Sequence, residues 1–317
     1  MSHHACHLAS EIFEANMAEF THKDLIASLT EEQRTHILRK SNLAGLTHLA
    51  LHFGAIIAFS IVLVLKPSFY QIALIPQGIL LVFLFTSLHE TIHKTAFKSE
   101  RLNEIVAAVC GFLIFLPPNY FRYFHFAHHR HTHDPDRDPE LATSKPDSLA
   151  AYLWAMTGLP EFLSRPTVIL LNALQQNSDE FVPPKGKARV RQEAILFCAL
   201  YAAIILFGMV SGWELIVMLW LLPLVVGGPF LRVYLLAEHA LCPNVRNMLL
   251  NTRTTFTNRL VRFLAWNMPY HIEHHAYPAV PFYKLPEFHK IAREHLGETA
   301  NGYVRFNQTY VRSLKDD

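Results

Sequence analysis

The chain has 317 residues, of which 51% are hydrophobic and only 17% charged, where a typical soluble domain has about 25% charged residues. That balance argues against an ordinary soluble protein and points to a membrane. A net charge of +2 gives no bulk electrostatic reason to bind nucleic acid. Four scattered cysteines, Cys6, Cys110, Cys198 and Cys242, form no CxxC pair. Neither a disulfide framework nor a zinc knuckle is expected, and a reducing compartment is compatible. Histidine is the anomaly, at 20 residues.

Residues 1–42 are polar and mixed in charge, without the basic and apolar blocks of a secretory signal. Within residues 8–40, Leu8, Ile12, Phe13, Leu25, Ile26 and Leu29 fit one or two amphipathic helices on the membrane surface or the main body. Thr30-Glu31-Glu32-Gln33 reads as a capping-box helix start. His3, His4 and His7 read as a tail rather than as ligands. Apolar runs at 43–65 and 72–88, joined by Lys66-Pro67-Ser68, predict a transmembrane helical hairpin. His48 and His52 share one face of its first helix; a polar, hydrogen-bonded or interfacial role is expected, with a ligand pair as the alternative. The run at 105–116 is too short to span and predicts a re-entrant or interfacial helix ended by Pro117-Pro118.

Residues 122–192 are polar and proline-punctuated, and two further spans follow at 194–210 and 213–236. Pro223 and Gly227-Gly228-Pro229 predict an interruption of the fourth span that shapes a substrate tunnel. Four spans place both termini on one side. Lys66 is then the only basic residue in either short turn, and the other lysines and arginines fall at or beyond the opposite face. The positive-inside rule makes that face cytoplasmic.

Three histidine clusters lie on the same face: His89-Glu90-Thr91-Ile92-His93, His125-Phe126-Ala127-His128-His129 and His271-Ile272-Glu273-His274-His275. On helices, HxxxH and HxxHH set imidazoles on a shared side, one turn apart. Eight histidines exceed what one ordinary metal takes, so a dinuclear site is expected. A histidine-only donor set favours non-haem iron over hydrolytic zinc, whose sites mix in carboxylates. His239, where the fourth span reaches the cytoplasm, is a ninth candidate ligand; His131 and His133 sit off the ligand face. Glu90, Asp134, Asp138, Glu238 and Glu273 are candidates to accept the other ring N–H of a ligand, with Glu273 a direct ligand in a second reading. Asn251-Thr252-Arg253-Thr254 is a polar patch suited to pinning the last two helices, with Arg253 and Asp138 as possible partners. His22, His36, His289 and His295 read as surface residues.

These clusters, in this order between paired apolar spans, resemble the membrane fatty acid desaturase superfamily, which includes lipid hydroxylases, carotenoid ketolases and alkane monooxygenases. His129-Arg130-His131-Thr132-His133-Asp134-Pro135-Asp136-Arg137-Asp138-Pro139-Glu140 and the stretch from Asn267 to Pro278 extend the resemblance, which covers about residues 43–290. It implies an all-α, integral membrane four-helix bundle with a cytoplasmic helical cap carrying a di-iron site. Residues 1–42 are then an N-terminal helical region and 291–317 a C-terminal tail. The implied ligands are His89, His93, His125, His128, His129, His271, His274 and His275, with His239 as the extra histidine; Leu235 stands where acyl-CoA members carry an asparagine ligand.

The implied chemistry is O2-dependent hydrogen abstraction from an unactivated C–H bond of a lipid or acyl substrate, giving an alkene in a desaturase. A hydroxylase or ketolase acting on a lipid, carotenoid or alkane is the alternative, and a histidine-rich metal-binding or transport protein the remote one. The chain carries no cysteine set for an iron–sulfur centre and no GxGxxG. Electrons are therefore expected from a separate ferredoxin, rubredoxin or b-type cytochrome with its reductase, with Lys284, Lys290 and Arg293 as candidate docking charges.

Overall fold

The computed structural model describes residues 20–314, and helix dominates them. Leu8, Ile12, Phe13, His3, His4 and His7 lie outside the described residues. Helix α1 (His22–Ser28) and helix α2 (Glu31–Ile37) lead into the first span. The expected capping box opens α2: the Gln33 amide donates to Thr30 Oγ1 at 3.1 Å, and the Thr30 amide donates to Gln33 Oε1 at 2.9 Å. Buried Leu25, Leu29 and Ile37 seat both helices on the main core rather than against lipid.

Four helical segments are long and apolar enough to cross a membrane: Glu31–Leu65, Tyr70–Ile92, Pro184–Ser211 and Glu214–His239. Their outer faces carry exposed Leu51, Ile57, Leu206, Phe207 and Val210, side chains that water would not favour and lipid would. The first span contains helix α3 (Asn42–Leu65), and the second is built from α4 (Leu74–Val82) and α5 (Leu84–Ile92). Lys66, in the first hairpin turn, pairs with Glu214 in the second, so both turns share one end of the bundle. His48 and His52 are hydrogen-bonded as expected. His48 Nε2 donates to the Phe263 carbonyl at 2.8 Å, and His52 Nε2 donates to the Leu80 carbonyl at 2.9 Å. Trp266 Nε1 donates to His52 Nδ1 at 3.3 Å, which fixes that ring's tautomer.

The short apolar helix is the first arm of a corner. Helix α6 (Glu100–Leu113) and helix α7 (Pro118–His131) meet at 98°. The last carbonyls of a helix have no partner within it, and lipid supplies none. Here each finds a long-range donor. Tyr201 Oη donates to the Phe112 carbonyl at 2.8 Å, Trp220 Nε1 to the Leu113 carbonyl at 2.7 Å, and Arg165 Nη1 to the Ile114 carbonyl at 2.7 Å. The corner therefore has no unsatisfied carbonyl at these three positions, and α7 leads from it carrying the second histidine cluster.

Helices α8 (Leu149–Met156), α9 (Leu159–Ala173), α10 (Pro184–Ser211) and α11 (Leu222–His239) follow. The expected interruption of the fourth span is not observed. A π-helical turn occupies Val217–Leu221, and α11 then runs unbroken through Pro229. Pro223 directly follows the π-helical turn, and the Leu219 carbonyl that its missing N–H would have served accepts from Gln77 Nε2 at 3.3 Å. The glycines serve packing: a Cβ on Gly227 would lie 2.2 Å from the Gly78 carbonyl oxygen, and one on Gly78 would lie 2.3 Å from that of Pro223. Small residues let helix backbones touch where lipid removes the hydrophobic drive. Gly227→Val is therefore expected to cost at least about 1–3 kcal/mol. It should lower the thermal midpoint of the solubilised protein, while Gly54→Val, where a Cβ meets nothing within 4 Å, leaves it unchanged.

Beyond the fourth span lie strand β1 (Arg253–Phe256), α12 (Arg259–Leu264), α13 (His271–Ala276), α14 (Leu285–Ala292), strand β2 (Glu298–Asn301) and α15 (Tyr303–Ser313). The two strands pair in parallel, Arg253 opposite Glu298, so the described chain is not wholly α-helical. They are four residues each and rich in threonine and charge, too short to show an alternating pattern.

Candidate metal centre

Three helices and one helix end converge in the buried region beside the membrane-spanning bundle. The end of α5 supplies His89 and His93, α7 supplies His125, His128 and His129, the last turn of α11 supplies His239, and α13 supplies His271, His274 and His275. All are buried except His93, which is half-buried. Ring nitrogens of His89, His93, His125, His129 and His274 lie within 4.8 Å of one another, and those of His128, His239 and His275 do the same in a second group. His271 Nε2 joins the second group, 3.1 Å from His239 Nε2. The groups abut, with the rings of His129 and His275 stacked at 4.1 Å.

The expectation that each HxxHH would present one shared face needs correction. Adjacent residues on a helix diverge by about 100°, so His128 and His129 face different groups. The two helices are used reciprocally. In α7 the i, i+4 pair His125 and His129 enters the first group and His128 the second; in α13 the pair His271 and His275 enters the second and His274 the first. His89 and His93 complete the first group. From α11 only His239 enters the second group; Leu235, one turn before it, lines the adjoining cavity and carries no donor atom.

The donor set fits metal ions. Nε2 atoms approach in the manner of shared ligands: His125 and His129 at 2.9 Å, His129 and His274 at 3.2 Å, His128 and His239 at 3.1 Å. Burial, and then neighbouring imidazoles, hold His271, His274 and His275 well below the ordinary histidine range, so they are neutral at pH 7 with a free lone pair each. The buried Nε2 atoms of His89, His93 and His275 have no hydrogen-bond partner among the described residues. Each such group costs about 1–3 kcal/mol unless something else satisfies it, and a cation held by the lone pairs does so.

Of the five carboxylates singled out, Asp138 sits where a ligand-orienting group belongs. His128 Nδ1 donates to Asp138 Oδ1 at 2.9 Å, and the amides of His133 and Glu140 donate to the same carboxylate at 2.9 and 3.0 Å. Burial raises this carboxyl, but the hydrogen bonds outweigh it and hold the group below its usual range. Glu238 faces His271, Oε1 to Nδ1 at 3.5 Å. Glu90 points away from the histidines; its Oε2 accepts from Thr95 Oγ1 at 2.9 Å and from the Phe282 amide at 3.2 Å. Asp134 pairs with Arg137 at 2.5 Å near the surface and touches no ligand candidate. Glu273 accepts from Thr254 Oγ1 at 2.5 Å and from His289, so its carboxylate braces α13 from behind. His289 is thus half-buried and partnered, not a free surface residue.

Arg253 and Asp138 do not pair. Arg253 Nη1 donates to the carbonyls of Ala237 and Ala240 at 3.0 and 2.6 Å, and Nη2 reaches Glu298 at 3.3 Å. That contact pins the end of α11, while His239 Nδ1 donates to the Asn251 carbonyl at 3.4 Å. Residues 251–254 therefore hold both α11 and α13, through partners that single-residue reading did not reveal. Lys284, one of the docking candidates, is half-buried and committed to Glu287 at 2.9 Å.

A cavity of about 600 Å³ opens onto both groups, reaching His89, His125, His128, His239 and His271. Phe85, Leu116, Phe121, Phe124 and Trp154 make much of its wall apolar, and Leu235 lines it beside His239. Its largely apolar lining suits an organic molecule held against the histidines.

Comparison with known proteins agrees with this arrangement. Residues 68–307 match the family model described as fatty acid desaturase. The sphingolipid delta(4)-desaturase of Drosophila melanogaster is 26% identical over 226 residues, 68% of this chain and 64% of that relative's length. The dihydrorhizobitoxine desaturase of Bradyrhizobium elkanii is 24% identical over 279 residues, 82% of this chain and 78% of the relative.

Proposed function

Because the chain belongs to the fatty acid desaturase family, we propose that it is an O2-dependent, di-iron membrane desaturase that introduces a C=C bond into an acyl or related lipid chain. The observation that carries this reading is the convergence of nine histidines into two adjoining groups at the wall of one apolar cavity. Two bound irons would supply the reduction of O2: two hydrogens leave adjacent carbons, two electrons and two protons enter, and two waters form. The chain's own residues do the rest. His89, His93, His125, His129 and His274 would hold one ion, and His128, His239, His271 and His275 the other. Asp138 fixes the His128 tautomer so that Nε2 is the free donor. The aromatic wall excludes water and lays the chain against the metals.

The electrons come from a separate redox protein, a ferredoxin, rubredoxin or b-type cytochrome with its reductase. By the positive-inside rule, the basic residues outside the spans support a cytoplasmic side for the histidines. The catalytic body extends over residues 43–290. Expression in a host of known lipid content, followed by mass spectrometry of its lipids and free acids, tests the reading. A product lighter by two hydrogens is expected; a product heavier by one oxygen would reassign the chain to hydroxylation. Bound zinc with no O2 consumption under reduction would instead favour metal handling.

A further inference from the structure

The inner end of the substrate cavity carries charge that neither the histidine groups nor the apolar wall requires. Arg165 and Glu161 of α9 and Arg232 of α11 line it, and the same three residues line a small annex continuing between Val82 and Leu224. Arg232 stands seven residues before His239, about 10 Å along the helix, within the fourth membrane-spanning segment. Ionisable groups at such a depth mark ligand sites by default, because their burial is costly. Glu161 accounts for one of the two cations, pairing with Arg232 Nη2 at 2.9 Å. Arg165 has no carboxylate of its own among the described contacts. One of its N–H groups serves the Ile114 carbonyl, a contact that holds the membrane corner but leaves the charge unbalanced. Burial lowers this guanidinium to about 10, so it remains fully charged at neutral pH. Arg232 Nε and Glu161 Oε2 are buried without hydrogen-bond partners. The cavity's remaining charges are accounted for elsewhere: Glu140 acts on Lys145, and Glu238 faces His271.

Two guanidiniums against one carboxylate leave one positive charge facing a cavity that is otherwise largely apolar. We propose that Arg165 and Arg232 bind an oxyanion of the substrate, so that the oxidised carbons lie within about 10 Å of an anionic group. The substrate is then an amphipathic acid or phosphate ester, with its oxyanion at the inner end of the cavity and its hydrocarbon passing the histidines. This deepens the desaturase reading and rests on it for the direction of the chain. Arginine suits the role because its planar fork meets two oxygens of a carboxylate or phosphate at once.

Equilibrium binding to the purified, detergent-solubilised protein tests the proposal without turnover. Decanoate, decyl phosphate and the neutral decanamide are compared by titration calorimetry. At least one of the two anions should bind about tenfold or more tighter than decanamide, the size expected for a hydrogen bond to a charged group. Tighter decanoate identifies a free acid, tighter decyl phosphate a phosphorylated lipid or carrier. Arg165→Gln or Arg232→Gln should bring the ratio to near one. The favoured anion, but not decanamide, should protect both arginines of the wild-type protein from phenylglyoxal, read by peptide mass spectrometry; this arm needs no variant to fold. Equal binding of all three probes, or anion binding that leaves both arginines reactive, overturns the oxyanion site. If that happens while a product two hydrogens lighter still forms, only the headgroup assignment falls and the desaturase reading stands.

Discussion

His274→Ala is expected to abolish product formation and lower the iron bound per chain, with the helical fold retained. His274 is the only residue of the third cluster in the first group. Its Nε2 lies 3.2 Å from that of His129, and its ring sits 4.5 Å from His89 and 4.7 Å from His93. Loss of a group that merely orients a ligand costs about 10–100-fold in metal affinity or activity, so loss of a donor should cost at least as much. His239→Ala makes the matching test of the second group, where only four imidazoles meet and one fewer leaves three. His131→Ala is the control: it adjoins the cluster but makes no approach to either group. Metal analysis by mass spectrometry, product assay and circular dichroism on the three variants decide it. Full iron and full activity in His274→Ala would remove the residue from the site.

Asp138→Ala is expected to weaken metal retention about 10–100-fold and also to destabilise the protein. The carboxylate accepts from His128 Nδ1 and from two backbone amides, and deleting it leaves buried donors unmet at about 1–3 kcal/mol each. Asp138→Asn keeps an acceptor but drops the charge, so it should spare more of the stability than of the metal affinity. Asp134→Ala should change neither, since Asp134 pairs with Arg137 away from the histidines. Chelator competition and thermal melts separate the three. Equal metal retention in Asp138→Ala and wild type would show that His128 needs no such partner.

The four spans were legible because each carries its signal in one continuous apolar stretch. A polar role for His48 and His52 was legible too, but their partners, the Phe263 and Leu80 carbonyls, were not. What the linear pattern hid depends on partners distant in the chain. Asp134 and Asp138 look equivalent in Asp134-Pro135-Asp136-Arg137-Asp138, yet the turn aims only Asp138 inward. Glu273 lies inside a histidine cluster but faces Thr254 and His289, because one step along a helix rotates a side chain by about 100°. The same rotation splits His128 from His129. Gly227-Gly228-Pro229 looks like a helix break because the partner that needs its missing side chain, Gly78, lies on another span. The two short strands carry too few residues for any periodicity.

The reciprocal use of α7 and α13 also sets an order in time. A chain emerging from its N-terminus has made four of the five donors of the first group, His89, His93, His125 and His129, before the third span exists. Of the second group it has made only His128; His239 ends the fourth span, and His271 and His275 come after it. One centre is therefore nearly complete while the protein is half synthesised, and the other waits for its end. Helix α13 supplies the last donors of both, His274 on one side and His271 and His275 on the other.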